Sequence, residues 1–130
     1  MSAEATLYDE LVSDTALADL VDVRIYDSKF PAIRPGQRDI SFPCCVFQRV
    51  STQRVQVVTG AVVARSIRFQ IDCLSESSVE AATVAEAVED ALVAAIGSFI
   101  DVTLGSEDSQ WNDEAGLYSR TVECECLEAA

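Results

Sequence analysis

The feature that most constrains the fold is an alternating apolar stretch, residues 65–74, followed at once by an amphipathic helix. The apolar positions of this stretch are Ile67, Phe69, Ile71 and Cys73. The polar positions between them are Arg68, Gln70 and Asp72. Strict alternation predicts a half-buried strand of an antiparallel sheet. The chain must therefore cover one face of that sheet and leave the other in contact with water.

The segment after this strand has the signals of a helix that covers a sheet. Ser77 and Glu80 have the spacing of a capping box, and Gly97 is a stop signal. Apolar residues follow at four-residue steps, at Val84, Val88, Leu92 and Ile96. A second row consists of small residues, at Ala81, Ala85, Ala91 and Ala95. Such a row predicts a helix that lies close against a sheet.

The other elements complete an α+β pattern. Ser2 and Asp14 are helix-capping residues, each placed before a short amphipathic helix. Further strands are predicted over residues 24–26, 44–50, 100–104 and 117–127. The order α, short α, β, β, β, α, β, β predicts a mostly antiparallel β-sheet with two main helices packed on one face, in a single domain over residues 1–130.

Three segments lack this regularity. Residues 29–43 contain three prolines and predict an extended connection. Residues 51–64 are polar and β-branched with a Gly60 turn signal, so they form either a long hairpin or a mobile arm. Residues 105–116 are polar and acidic and predict a loop, which holds the single tryptophan.

Charge is strongly segregated along the chain. The net charge is −13, yet eight of the nine basic residues fall within residues 24–68, where there are two acids. So negative a chain is a poor ligand for DNA phosphates. A basic segment between acidic flanks instead favours head-to-tail assembly, in which one copy's basic segment meets its neighbour's acidic surface.

Five cysteines invite a test for disulfides or metal. They are Cys44, Cys45, Cys73, Cys124 and Cys126. An odd number without signal-peptide features argues against a disulfide framework, and the spacing lacks paired CxxC knuckles. We predict reduced thiols that act as small apolar core residues, and bound zinc is the alternative.

The sequence contains no recognisable catalytic constellation. There is no histidine, and the five glycines are isolated, so no nucleotide-binding loop is present. Adjacent acids at Glu107 with Asp108 and at Asp113 with Glu114 are predicted to be solvated loop charges rather than a two-acid or cation site. No apolar run has the length of a membrane span, and the N-terminus lacks signal-peptide features. We therefore predict no enzyme activity, no cofactor, no metal and no membrane contact.

The candidate interface residues follow from charge and exposure. They are Arg54, Val57, Arg65, Arg68 and Trp111. The two arginines that flank the alternating strand are either solvent-exposed sheet residues or contacts to another chain. Trp111 is either a local clamp against the sheet or an exposed anchor for a partner.

The chain also resembles the tail-completion, or tail terminator, proteins of long-tailed phages, which join tail to head. The similar blocks are the first helix with Leu7, Tyr8 and Leu11, then residues 24–26, 43–51, 64–73 and 113–120. The resemblance covers nearly the whole chain. It implies a small α+β subunit of the virion tail or neck, made in the host cytoplasm.

The resemblance also implies partners. They are further copies of the chain in a hexameric ring, the tail tube protein and the head connector, with DNA passing through the lumen unbound. A head-completion or neck connector subunit is the alternative within structural proteins. A small cytosolic metal-binding protein or enzyme is the alternative from another class.

Overall fold

In the computed structural model, five strands form one sheet and three helices pack against it. The structure describes residues 2–22, 24–27, 42–94, 99, 101–113 and 116–129. The elements are α1 (Ala3–Ser13), α2 (Thr15–Val21), β1 (Ile25–Asp27), β2 (Cys44–Gln56), β3 (Val62–Ser75), α3 (Ser78–Ala94), β4 (Asp101–Asn112) and β5 (Leu117–Ala129). The predicted element order and the α+β class are confirmed.

The helices begin at the predicted capping residues. The Ser2 hydroxyl accepts from the Ala5 N–H at 3.1 Å, and the Asp14 carboxylate accepts from the Leu17 N–H at 2.9 Å. Such bonds satisfy backbone donors that a helix start leaves unpaired. The predicted end of α3 at Gly97 lies outside the described residues.

The capping box before α3 includes one residue that the sequence pattern did not indicate. The Glu80 N–H donates to the Ser77 hydroxyl at 3.4 Å, as a capping box requires. The Glu80 carboxylate, however, accepts from the buried Ser75 hydroxyl at 2.6 Å, and Ser75 in turn accepts from the Ser77 N–H at 3.1 Å. Ser75 therefore ties the end of β3 to the first turn of α3.

The strands are arranged in the order β1-β2-β3-β5-β4. β1 pairs with β2 in parallel, and every other pairing is antiparallel. In β3, Ile71 lies between Phe47 of β2 and Val122 of β5. Directly opposed residues share a face, so these three side chains pack together on the side of the sheet that faces the helices.

One core joins the helices to that side of the sheet. α3 packs against β3 and β5, and α1 and α2 pack against α3. The largest fully buried side chains are Phe47, Phe69, Leu7, Leu11, Leu17, Ile67, Ile71, Leu92, Val21, Val84, Val88 and Val122. The alternating residues and the four-residue steps of α3 therefore mark the buried faces, as predicted, through Leu92. No helix in the described part of the chain is long and apolar enough to cross a membrane.

The prediction of an acidic loop over residues 105–116 is wrong. β4 continues from Asp101 to Asn112, where it pairs with Leu117 of β5, so most of the predicted loop is strand. β4 lies at the sheet edge, and its described side chains from Thr103 to Trp111 are all exposed. Backbone pairing with β5 holds such a strand, so it needs no apolar alternation.

Asp72, a polar position of the alternating stretch, lies within β3 on the face that points away from the helices, as the alternation predicts. The predicted extended connection, residues 29–43, lies outside the described residues except for Phe42 and Pro43.

Candidate assembly interface

Residues 51–64, here called the hairpin arm, form the end of β2, a turn and the start of β3. The pairing runs from Ser51 opposite Arg68 to Gln56 opposite Val62. In the turn, the Val57 N–H donates to the Ala61 carbonyl at 3.0 Å, and the Gly60 N–H donates to the Val57 carbonyl at 2.8 Å. Gly60 has a φ of +87°, a conformation that side-chain-bearing residues rarely adopt. Local turn chemistry therefore closes the arm.

The arm exposes valine side chains to solvent. These are Val55, Val57, Val58 and Val63, and Val58 at the tip is fully exposed. Single exposed apolar residues are ordinary, but clustering of several in one projection is typical of interaction sites. The apolar character of Val57 fits its predicted place in an interface.

Two arginines, one in the arm and one directly after it, face each other across the two strands. Arg54 lies directly opposite Arg65, so two positive charges share one face of the hairpin. The Arg65 guanidinium pairs with Glu128 of β5 at 3.2 Å, while its Nε is buried without a partner. Within the described residues, no carboxylate pairs with Arg54. In the described part of the chain, Arg54 is therefore a cation without an ion-pair partner.

The other two predicted interface residues lie away from the arm. Arg68 is on the opposite face of β3, where it pairs with Glu125 at 3.2 Å, and both side chains are about half exposed. Trp111 is on β4, at the far edge of the sheet. The structure thus brings Arg54, Val57 and Arg65 together and separates Arg68 and Trp111 from them.

Trp111 has features of both alternatives that the sequence left open. Its ring packs on Tyr118 with centroids 4.4 Å apart, and its indole N–H donates to the Asp113 carboxylate. Nevertheless, 49% of Trp111 is exposed. A shallow groove of about 310 Å³ lies beside it, lined by Ser78, Ala81, Ser109, Gln110, Trp111, Tyr118, Ser119 and Arg120.

The face of the sheet that points away from the helices is polar. Asp72 accepts from Gln70 at 3.3 Å and from the Thr121 hydroxyl at 2.7 Å. Nearby, the Ser106 hydroxyl donates to Glu123 at 3.2 Å. Asp72 therefore has a structural role as an acceptor shared by side chains of β3 and β5.

An acidic groove between α3 and β4 was not predicted from the sequence. It measures about 480 Å³ and is lined by Val79, Ala82, Thr83, Glu86, Glu89, Glu107 and Arg120. Glu107 accepts from Arg120 at 2.6 Å, and Arg120 also donates to Ser109 at 2.6 Å. From the sequence, Glu107 is predicted to be a solvated loop charge. The sequence signal for this groove is the set of acidic residues on the exposed side of the α3 segment.

Two carboxyl groups of this groove influence each other's ionisation. Burial, followed by the contact with Glu107, raises the pKa of Glu89. The hydrogen bond from Arg120 lowers the pKa of Glu107. Arg120 therefore neutralises Glu107, and Glu89 stays beside it without a cation of its own in the described part of the chain.

The cysteines are core residues, as predicted. All five are free and buried, and the Sγ atoms of Cys45 and Cys73 lie 4.0 Å apart on neighbouring strands. Burial raises the pKa of the Cys44 thiol to about 12, which keeps it protonated at neutral pH. Among the described residues, no three metal-ligating side chains converge on one point.

The comparisons with known proteins agree with this architecture. A family model described as "Tail completion protein gp17" matches residues 5–128. A chain in the solved structure "Virion of native gene transfer agent (GTA) particle" is similar with a TM-score of 0.78 and 19% identity, over 99% of this chain and 96% of that chain. At this identity the likeness shows the fold. None of the curated proteins matches the sequence. Because the family model spans almost the whole chain, this protein belongs to the tail completion protein gp17 family, whose members are structural components of the virion tail.

Proposed function

We propose that the chain is a tail terminator whose copies close into a six-fold ring, cap the finished tail tube and join it to the head connector. Family membership supports the position in the tail. The observation that carries the ring is the division of one small chain into a basic middle segment, which includes the valine-bearing arm, and acidic flanks. Between Asp39 and Asp72 the sequence has four arginines and no acid, whereas residues 69–130 have one arginine.

This division suits a head-to-tail contact. In a closed ring of identical subunits, each subunit uses two different patches, one on each side. The hairpin arm supplies a patch with exposed valines and with Arg54, which pairs with no carboxylate among the described residues. The groove between α3 and β4 supplies an acidic patch with an apolar wall formed by Val79 and Ala82. The two patches are therefore opposite in charge, and each has apolar surface beside its charge.

We also propose that the role is structural and that DNA crosses the ring without specific binding. A strongly anionic particle repels phosphates, so a duplex passes along its wall without adhering. The polar face around Asp72 and Glu123 is suited to contact with water or a hydrated duplex, because its side chains bond to one another and offer no cluster of cations.

Electron microscopy of the protein with polymerised tail tubes tests this function. We expect a ring on one end of each tube, and rings of the protein alone at high concentration. Binding to the portal or its adaptor, with tube ends left bare, would instead identify a head-completion or neck connector subunit.

A shortened-arm variant tests the part played by the arm. Residues 55–64 are replaced by an Asn-Gly turn, which joins the facing positions Arg54 and Arg65 and favours a two-residue hairpin. The core residues are untouched, so the variant should fold. We expect it to leave tube ends uncapped, and normal rings in native mass spectrometry would refute a role of the arm in closure.

A further inference from the structure

The sheet has two free edges within the described part of the chain. On one side, β1 pairs with Cys45, Val46 and Phe47 of β2, and no described strand continues beyond it along residues 48–56 of β2, which pair with β3 on their other side. On the other side, β4 pairs with β5 and ends the sheet. We call residues 48–56 the β2 edge and Asp101–Asn112 the β4 edge.

Both edges are long and exposed. The side chains of residues 48–56 and 101–111 are exposed, apart from the half-buried Thr52 and Val102. Unpaired backbone N–H and C=O groups along such strands are templates for another strand, and proteins usually shorten or cover them. Two edges that the described residues leave uncovered therefore need an explanation.

The two edges carry opposite charge. The β2 edge contains Arg49 and Arg54 and no acid, and Arg49 pairs with Glu4 of α1, so Arg54 is the arginine available to another chain. The β4 edge contains Asp101, Glu107 and Asp108 and no base, and Glu107 pairs with Arg120 of β5, so Asp101 and Asp108 are its available acids. Two copies of one edge would repel each other, whereas the β2 edge of one copy attracts the β4 edge of another. The occupant that fits each edge is thus a second copy of this chain.

Strand direction permits this pairing in a ring. β2, β3, β5 and β4 alternate in direction along the sheet, so β4 runs opposite to β2. Rotation about a ring axis that lies roughly along the strands preserves their direction. The β4 edge of one copy and the β2 edge of the next then meet as antiparallel strands, which form a regular ladder.

We propose that the β4 edge of each subunit pairs antiparallel with the β2 edge of the next, so that the sheet continues from subunit to subunit and Arg54 reaches the neighbour's Glu89. This inference rests on the proposed ring and specifies its contact.

The faces of the sheet agree with the Arg54 contact. Arg54 lies opposite Arg65, which shares its face of β3 with Ile67 on the side of the helices. Glu107 lies opposite the buried Val122 on that same side, next to Glu89 of α3. A continuous sheet keeps its faces, so the Arg54 guanidinium of one copy and the Glu89 carboxyl of the next, neither of which has an oppositely charged partner among the described residues, lie on one side.

Complementary charge reversal tests the contact. Arg54→Glu alone and Glu89→Arg alone place like charges together at every contact, and each should weaken ring assembly about tenfold or more. A mixture of the two variants can alternate around a ring of six. Each contact is then either native or fully reversed, so the mixture should recover rings.

Asp19→Arg is the matched control for Glu89→Arg. It makes the same charge change at an exposed position of α2, away from both edges. Asp19→Arg alone should assemble. Its mixture with Arg54→Glu should give no more rings than the Asp19→Arg chains in the mixture form by themselves. Recovery with this mixture equal to that with Glu89→Arg would show a general charge effect and overturn the specific contact.

Hydrogen exchange tests the strand pairing independently of side-chain charge. The wild-type ring is compared with the unassembled Arg54→Glu chain, peptide by peptide. Outward amides of residues 48–56 and 101–112 should exchange at least about tenfold more slowly in the ring, because new backbone bonds protect them. Unchanged exchange at both edges in a well-formed ring would overturn the inference.

The outcomes separate this inference from the proposed function. Wild-type protein that neither forms rings nor caps tubes removes the function and the contact together. Wild-type rings that cap tubes while Arg54→Glu and Glu89→Arg also assemble normally leave the function intact and remove the contact.

Discussion

The tip of the hairpin arm allows stability and assembly to be tested separately with one substitution, Val58→Ser. Val58 has a relative exposure of 106%, so in the isolated chain its side chain contacts water and almost nothing else. Removing it should change the free energy of unfolding by less than about 0.5 kcal/mol, as for surface substitutions in general.

Assembly should respond very differently if the tip is buried against a partner. Full burial of a valine side chain is worth roughly 1.5–3 kcal/mol. Loss of about 1.4 kcal/mol weakens a contact about tenfold, and a ring repeats that contact at every subunit. We therefore expect Val58→Ser to raise the concentration needed for ring formation by at least about tenfold.

The assay combines urea denaturation of the unassembled chain with sedimentation velocity over a concentration series. Val93→Ser is the control, because Val93 is 55% exposed on α3 and lies outside both the arm and the acidic groove. Val93→Ser should leave both measurements unchanged within error. Ring formation by Val58→Ser at the wild-type concentration would refute the view that the tip is buried on assembly.

Three further predictions concern the fold and its ionisation. Phe69→Ala, in the centre of β3, should cost about 3–5 kcal/mol in urea denaturation because the ring is fully buried, and a cost under about 1 kcal/mol would contradict the described core. Asp14→Ala should lower the free energy of unfolding in urea by about 1 kcal/mol, because α2 loses its N-terminal cap. No change would show that the hydrogen bond from the Leu17 N–H contributes nothing to stability. The raised pKa of Glu89 means that the folded chain keeps the Glu89 proton over a pH range in which the unfolded chain has already released it. The contribution of Glu89 to the free energy of unfolding therefore falls as pH rises. Glu89→Gln should therefore stabilise the unassembled chain at neutral pH and not at pH values below the usual glutamate pKa, and an equal gain at all pH values would contradict this assignment.

Much of the fold follows from local patterns. The alternation around Phe69 and the four-residue steps of α3 indicate which side of each element is buried. They do so because the spacing of apolar residues along an element marks the face that packs into the core. The caps at Ser2 and Asp14 are similarly local, because a helix start needs an acceptor within three residues. These predictions needed no knowledge of distant neighbours.

The β4 strand shows where local patterns fail. Its residues around Gly105 to Trp111 are polar and acidic, since an exposed edge buries little on either face. The strand exists because its backbone pairs with β5. That pairing depends on a neighbouring segment and leaves no apolar period in β4 itself.

The candidate site divides in the same way. The sequence by itself determined the charge segregation, the helical and buried-strand elements and the family. The tertiary structure alone decided that Arg54 faces Arg65, that Glu89 meets Glu107, and that the sheet ends in two edges of opposite charge. The reason is physical: composition and periodicity record how each residue meets solvent or core, whereas contacts between segments depend on strand order and register, which the whole packed chain selects.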